Sequence, residues 1–293
     1  MKKKLFSIGC ILLAAAFIFT ACSGNSSGGS FDTSRNVSII AREDGSGTKT
    51  AFMDIIGLRG MADPANVIIQ TGTAGVLAEV RGNPMALAYE SLGFISGDVK
   101  KISVDGAAPT VENILNGSYK IARPLSVVIQ DSGLQNELNA AFFSFMLSSD
   151  AGEIITAEGY VAVNLDAEAY VAAPSLSGSL DISGSTSVQP LMIALAAAFE
   201  GIHTDVIINV SGGGSGTGYS NAEGGVSDFG MISEEFNSGR APSCTYAMIA
   251  QDGIAIIVHP NNPLDNISME QLRTLYDADA GDNAIRTWNQ LIG

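Results

Sequence analysis

A 293-residue chain that is 46% hydrophobic and 15% charged can bury the cores of two lobes of ordinary domain size and does not belong with disordered chains. Its 30 acidic residues against 15 basic ones give a formal charge of −15, which disfavours nucleic acid as a partner and offers a membrane no polybasic patch. Such a surface repels an anion at long range, so an anionic ligand has to be held by local dipoles and hydrogen bonds.

In chain order, Met1 to Lys4 is basic, residues 5–19 are almost wholly apolar, and Thr20-Ala21-Cys22 closes the run. This resembles the lipobox of bacterial lipoproteins. The resemblance implies a signal peptide over 1–22, acylation of Cys22 and a lipid-anchored position on the extracytoplasmic face of the cell membrane. An ordinary signal peptide or a membrane anchor is the alternative, although the run is short for a span. Residues 23–35 open with SGNSSGGS and read as a flexible tether. Loss of the leader leaves 12 basic against 30 acidic residues, about −18. With Cys10 removed and Cys22 acylated, Cys244 stands alone and no disulfide framework is expected.

The first strand is expected over 36–41 (NVSIIA), turned by 42–48 (REDGSGT). Ser46 is placed to cap a helix over 49–58, where Ala51, Phe52, Ile55 and Ile56 share one face. Strand 67–70, helix 73–81, strands 85–89 and 101–104, helix 110–115, strand 125–129 and a strongly apolar helix 134–146 follow. Helix 150–158 and the run 159–163 close this block. Residues 164–179 have no period and read as a linker. The pattern then restarts with strand 180–183, helix 190–200 with Pro190 in its first turn, strands 206–210, 228–232 and 253–259, and a helix-like stretch 266–276. Alternating βα units of this kind specify an α/β fold with mainly parallel sheets and helices on both faces.

Three loops share one chemistry: 211–218 (SGGGSGTG), 45–48 (GSGT) and 183–187 (SGSTS). Each follows a β-like run and precedes a helical pattern. Glycine allows positive φ and close backbone approach, so successive N–H groups can line one concavity. A following helix adds its free N–H groups and the positive end of its dipole. Three such loops point to one anion held from several sides.

Catalytic alternatives are thinner. Ser46 to Lys49 fits S-x-x-K, but S-D-N and K-T-G are both absent. Residues 45–50 resemble a P-loop without its full spacing. His203 and His259 are the two histidines, and neither has metal-ligand spacing. No enzymatic activity, cofactor or metal is expected.

ISGSTSVQPL at 182–191, GGGSGTG at 212–218 followed by DFGMIS at 228–233, and REDGSGT at 42–48 together resemble the phosphate-binding proteins of bacterial high-affinity phosphate ABC transporters. DGIAIIVHPNNP at 252–263, the LRTLY helix, Trp288-Asn289, ALAYESLGFI at 86–95 and EGYVAV at 158–163 extend the resemblance over about 36–163 and 178–293. It implies a two-lobed periplasmic-binding-protein fold (type II-like) with a cleft between the lobes. It also implies a monomeric receptor that takes inorganic phosphate, as hydrogen phosphate, and passes it to an ABC permease. A sensor of the same fold, or a phosphatase-type enzyme, is the alternative.

The order is reversed relative to that family, whose second half comes first here. A circular permutation accounts for this when the original termini lie close together; a fragment or a mis-assembled tandem gene is the alternative. Permutation predicts a discontinuous lobe over 36–97 and 257–293, a second lobe over 98–256, and residues 164–179 joining the old ends. By the same resemblance Thr186, Ser187, Ser215 and Ser233 would bind phosphate from one lobe, and Arg42, Ser46, Gly47 and Thr48 from the other. Gly214 and Asp44 would support them, Asp44 by orienting Arg42, whose alternative is a surface ion pair with Glu43 or Asp44. Ser233 stands where some family members carry aspartate, leaving Glu234 or Asp44 to accept the ligand's proton.

Overall fold

The computed structural model describes residues 31–292; the expected leader, Cys22 and the first part of the tether lie outside them. The remainder of the tether is docked, in contrast to the expectation for 23–35. The Phe31 ring meets Trp288 edge-on at 5.4 Å, Trp288 N donates to Arg35 O, and Asn289 N donates to Thr33 O. An aromatic residue with a fully buried tryptophan to pack on does not stay in solvent.

The first block runs β1 (Ser38–Arg42), α1 (Gly47–Ile55), β2 (Ile68–Gln70), α2 (Gly72–Gly82), β3 (Ala86–Ser91), β4 (Lys100–Val104) and α3 (Val111–Leu115). Ser46 caps α1 as expected, its Oγ accepting from Lys49 N. β5 (Ala122–Gln130), α4 (Glu137–Met146), α5 (Ser149–Ala157) and β6 (Val161–Ala162) follow. Residues 164–176 form no helix or strand but are pinned: Asn164 Nδ2 donates to Met146 O and Ser148 O, and Tyr170 Oη lies 2.9 Å from His203 Nε2. The chain resumes in β7 (Ser177–Gly184), α6 (Gln189–Ile202), β8 (Asp205–Gly212), α7 (Ser215–Glu223), β9 (Phe229–Ile232), β10 (Cys244–Val258), β11 (Asn266–Ile267), α8 (Met269–Tyr276) and α9 (Asn289–Ile292). Ser268 and Gln271 form a full capping box at α8. Among the described residues no helix is long and apolar enough to cross a membrane.

The main strand order is β2-β1-β3-β10-β5-β9-β7-β8. Its flanks are parallel, β2 and β3 on β1 at one end and β8 and β9 on β7 at the other. Its centre is not. β10 is antiparallel to β5 over Cys244–Gly253 and to β3 over Ile254–Val258. A 15-residue strand therefore passes straight from one half of the molecule to the other. The βα rhythm does not register it, because no helix marks the crossing.

Two main apolar cores divide at that crossing. One holds Ile39, Phe52, Val80, Leu87, Ile102, Ile121, Ile256, Leu272 and Trp288; the other holds Val127, Phe142, Ile155, Ile182, Leu195, Phe199, Met231 and Ile249. These are the two lobes of a periplasmic-binding-protein fold. The apolar division falls between Ile121 and Leu125 and between Ala250 and Ile254, not at 97/98 and 256/257. The reason is β4: it pairs with β10 at Ile256–Val258, which carries Ile102, Val104 and the following Tyr119 and Ile121 into the first core.

Candidate functional site

The three glycine-serine loops sit at carboxyl ends of strands, where ligands of open α/β sheets are bound. β1 delivers residues 42–48 to the start of α1. β7 delivers Ser185, Thr186 and Ser187 to the start of α6, and β8 delivers Gly213 and Gly214 to the start of α7. Gly214 has φ of +86°, a conformation that favours glycine, and its N–H donates to Gly184 O. The loops meet across the lobes, with Gly216 N donating to Gly45 O at 2.9 Å.

Arg42, the last residue of β1, is 1% exposed. Its Nε and Nη2 donate side by side to Glu43 at 2.9 and 3.0 Å. Nη1 donates to Glu90 Oε1 at 2.7 Å and lies 3.3 Å from Thr73 Oγ1 and 3.5 Å from Thr48 Oγ1. Nη2 also reaches Thr186 Oγ1 of the other lobe at 3.0 Å. Burial opposes the guanidinium charge, but the Glu90 and Glu43 carboxylates outweigh it and raise the Arg42 pKa above its ordinary value. Burial likewise works against the Glu43 carboxylate, and Arg42 overcomes it, leaving Glu43 below the usual range.

A chain of hydroxyls continues from the guanidinium. Thr48 Oγ1 is 2.9 Å from Ser187 Oγ, and Thr73 Oγ1 is 3.3 Å from Thr186 Oγ1 and 3.4 Å from Ser187 Oγ. Ser185 Oγ donates to Ser233 Oγ at 2.8 Å, and Ser215 Oγ accepts from Ser233 N at 3.0 Å. Ser46, Thr48, Thr73, Ser185, Ser187, Ser215 and Ser233 are all buried. Gly47 packs so tightly on this group that a Cβ there would lie 2.2 Å from Ser215 Oγ and 2.7 Å from Ser233 Oγ.

The structure thus brings together Arg42, Ser46, Gly47, Thr48, Thr186, Ser187, Ser215 and Ser233, with Gly214 in the supporting turn. Asp44 is not among them. Its exposed carboxylate pairs with Lys49 at 2.7 Å, and Glu43 and Glu90 take the orienting place expected of it. Glu234 is likewise committed, to Arg240 at 2.7 Å. Thr73 and Glu90 escaped the sequence reading, which has Glu43 only as an alternative ion-pair partner of Arg42 and Ser185 only as part of the 183–187 loop. Thr73 had a signal, since Thr71-Gly72-Thr73 at the β2–α2 junction repeats the loop chemistry. Glu90 had another: a lone charge in a strand otherwise apolar and buried requires a partner.

Behind Ser233, Arg123 Nη1 donates to its carbonyl at 3.2 Å while Nε and Nη2 reach Asp252 Oδ2 at 3.3 and 3.0 Å. Arg123 and Asp252 are register partners on β5 and β10, where the chain crosses between lobes. Burial raises the Asp252 pKa although Arg123 opposes it. A cavity of about 250 Å³, lined by Thr50, Arg59, Arg123, Glu234 and Arg240 among others, opens beside the hydroxyl group rather than in it.

Residues 171–293 match a model of the PBP superfamily domain. The chain is 31% identical to phosphate-binding protein PstS 2 of Streptococcus pneumoniae serotype 4 (strain TIGR4) over 296 aligned positions, 99% of each chain. It is 34% identical to phosphate-binding protein PstS of Bacillus subtilis over 120 positions, 40% of this chain and 38% of that one. Among solved structures, the phosphate-binding protein of a phosphate ABC transporter from S. pneumoniae TIGR4 superposes with a TM-score of 0.67 at 32% identity, covering 87% of this chain and 99% of its own.

Proposed function

The chain belongs to the PstS family of phosphate-binding proteins, and from that premise we propose that it captures inorganic phosphate between its lobes and delivers it to an ABC permease. The observation that carries this reading is the convergence of one buried guanidinium with hydroxyls of both lobes, Arg42, Thr48 and Thr73 facing Thr186 and Ser187. Arg42 gives charge-assisted hydrogen bonds. Ser46, Gly47, Thr48 and Thr73 complete one side, and Thr186, Ser187, Ser215 and Ser233 the other. The first turns of α1, α2 and α7 supply Thr48, Thr73 and Ser215 to these hydroxyls. The chain is a binding protein and not an enzyme, a monomer anchored outside the cytoplasm through lipid on Cys22. A Cys22→Ser variant should therefore leave the membrane fraction.

We read the element order as a circular permutation joined through residues 164–176. Two findings support this. The order is shared with the pneumococcal relative and so is not peculiar to this chain, whereas the match to the B. subtilis protein stops at 40% of this chain at no lower identity, as when one half aligns in order.

Thr48 and Ser187 at 2.9 Å leave no room for an oxyanion between them, so the lobes must part and close again on the ligand. Small-angle scattering of phosphate-stripped protein is expected to show a more open particle that contracts on adding phosphate; an unchanged radius contradicts the cycle. Gly47→Ala places a methyl against Ser215 and Ser233. It should weaken phosphate binding about tenfold or more while leaving thermal unfolding close to wild type, because each lobe keeps its own core.

A further inference from the structure

Gly93 sits in the turn Leu92–Phe94 that follows β3. Its φ is not positive, so glycine is not required there by the backbone conformation but by what lies against it. A Cβ on Gly93 would lie 2.4, 2.5 and 2.8 Å from Cζ, Cε1 and Cε2 of Tyr160. Tyr160 is 2% exposed and belongs to the second core, whereas Leu92 beside Gly93 belongs to the first. The ring of one lobe thus rests on the backbone of the other, next to the crossing, where β6 pairs with β10 at Ala250 and Gln251. The phenol serves the anion site as well. Tyr160 Oη donates to Ser187 O at 3.1 Å, and burial raises its pKa, which keeps the proton on the oxygen. On the Gly93 side, Glu90 holds Arg42 and accepts from Ser91 N at 2.9 Å, and Gly93 N reaches Asp252 Oδ1 at 3.5 Å.

Resting on the phosphate-capture reading, we infer that Tyr160 is a positioning residue with two tasks: its hydroxyl orients Ser187, and its ring is the stop that sets how far the lobes close. The Ser187 side chain belongs to the hydroxyl group, 2.9 Å from Thr48 Oγ1 and 3.4 Å from Thr73 Oγ1. Its backbone is tied on both sides, the carbonyl by Tyr160 and the N–H by Ser185 Oγ at 3.3 Å. Buried hydrogen bonds of this kind hold the peptide that carries the side chain. Closure brings Gly93 against the ring. An aromatic carbon on a bare Cα is a hard contact, with no side chain between them to yield. The spacing at which it stops is the spacing between Arg42, held through Glu90 just before Gly93, and Ser187, held through the phenol.

The test is calorimetric titration with inorganic phosphate, joined to small-angle scattering of the stripped and phosphate-saturated proteins. Tyr160→Phe keeps the ring on Gly93 and takes away the donor to Ser187. Its Kd should rise about five- to tenfold, with full contraction on phosphate. Gly93→Ala drives a methyl into the ring. Without phosphate it should unfold close to wild type, because parted lobes relieve the overlap. With phosphate it should stay more open than wild type, and its Kd should rise about tenfold or more. Gly93→Ala/Tyr160→Leu removes the obstacle along with the hydroxyl, so contraction should return while affinity stays near that of Tyr160→Phe. A merely structural tyrosine would not separate closure from affinity in this way. Wild-type affinity in Tyr160→Phe overturns the orienting task. Full contraction of Gly93→Ala, or its failure to fold without phosphate, overturns the stop. Either result leaves phosphate capture standing, whereas no phosphate binding by folded wild-type protein removes both readings.

Discussion

Arg42→Ala is expected to abolish measurable phosphate binding and to lower the free energy of unfolding by about 3–5 kcal/mol. Binding is lost because Arg42 is the cation that bridges the lobes, bonded to Glu90 on one side and Thr186 on the other. Stability is lost because Glu90, with no solvent exposure, is left as a buried charge without a partner. Arg42→Lys separates the two effects. An ammonium retains the charge but cannot serve Glu43 side by side, Glu90 and a ligand together, so stability should recover more than affinity. Calorimetry with phosphate and denaturant unfolding of the same preparations measure both. Full affinity in Arg42→Ala contradicts the assignment.

Arg123→Leu should cost a similar amount, about 3–5 kcal/mol, by leaving Asp252 alone in the interior. The Arg123→Leu/Asp252→Leu double variant should regain most of it, since replacing a whole buried pair by apolar groups is often neutral. The deficit of the single variant should also depend on pH. Burial raises the Asp252 pKa in the folded protein, so the native state holds that proton more tightly than the unfolded chain. Stability contributed by this group falls as pH rises from the ordinary carboxylate range through its folded pKa. Without Arg123 the shift grows, and acidification should shrink the deficit. Urea midpoints of both variants at neutral and acidic pH decide the matter; a double variant no better than the single one means the pair contributes net attraction.

Local chemistry made much of the site legible. Ser46 before a helical pattern, three glycine-serine junctions and Arg42 at a strand end are statements about single loops, and the fold places them together. What escaped depends on partners far away in the chain. Glu90 lies 48 residues from Arg42 and Asp252 129 from Arg123, separations that periodicity does not report. Asp44 and Glu43 are adjacent, and which of them pairs with Arg42 is set by the turn that follows β1, where Glu43 folds back on the guanidinium and Lys49 captures Asp44. The sequence pattern marks β10 only in its last part, because its first residues are half-buried or, at Tyr246 and Met248, exposed. The docking of Phe31 on Trp288 joins opposite ends of the chain, and a glycine-serine run just before it gave no hint of where the tether ends.

The most direct measurement is titration of leader-free, phosphate-stripped protein with phosphate and then with sulfate by calorimetry. One phosphate per chain, bound tightly, with sulfate producing no comparable heat, is the predicted result. A cooperatively folded protein that binds no phosphate, or that binds sulfate equally well, contradicts it.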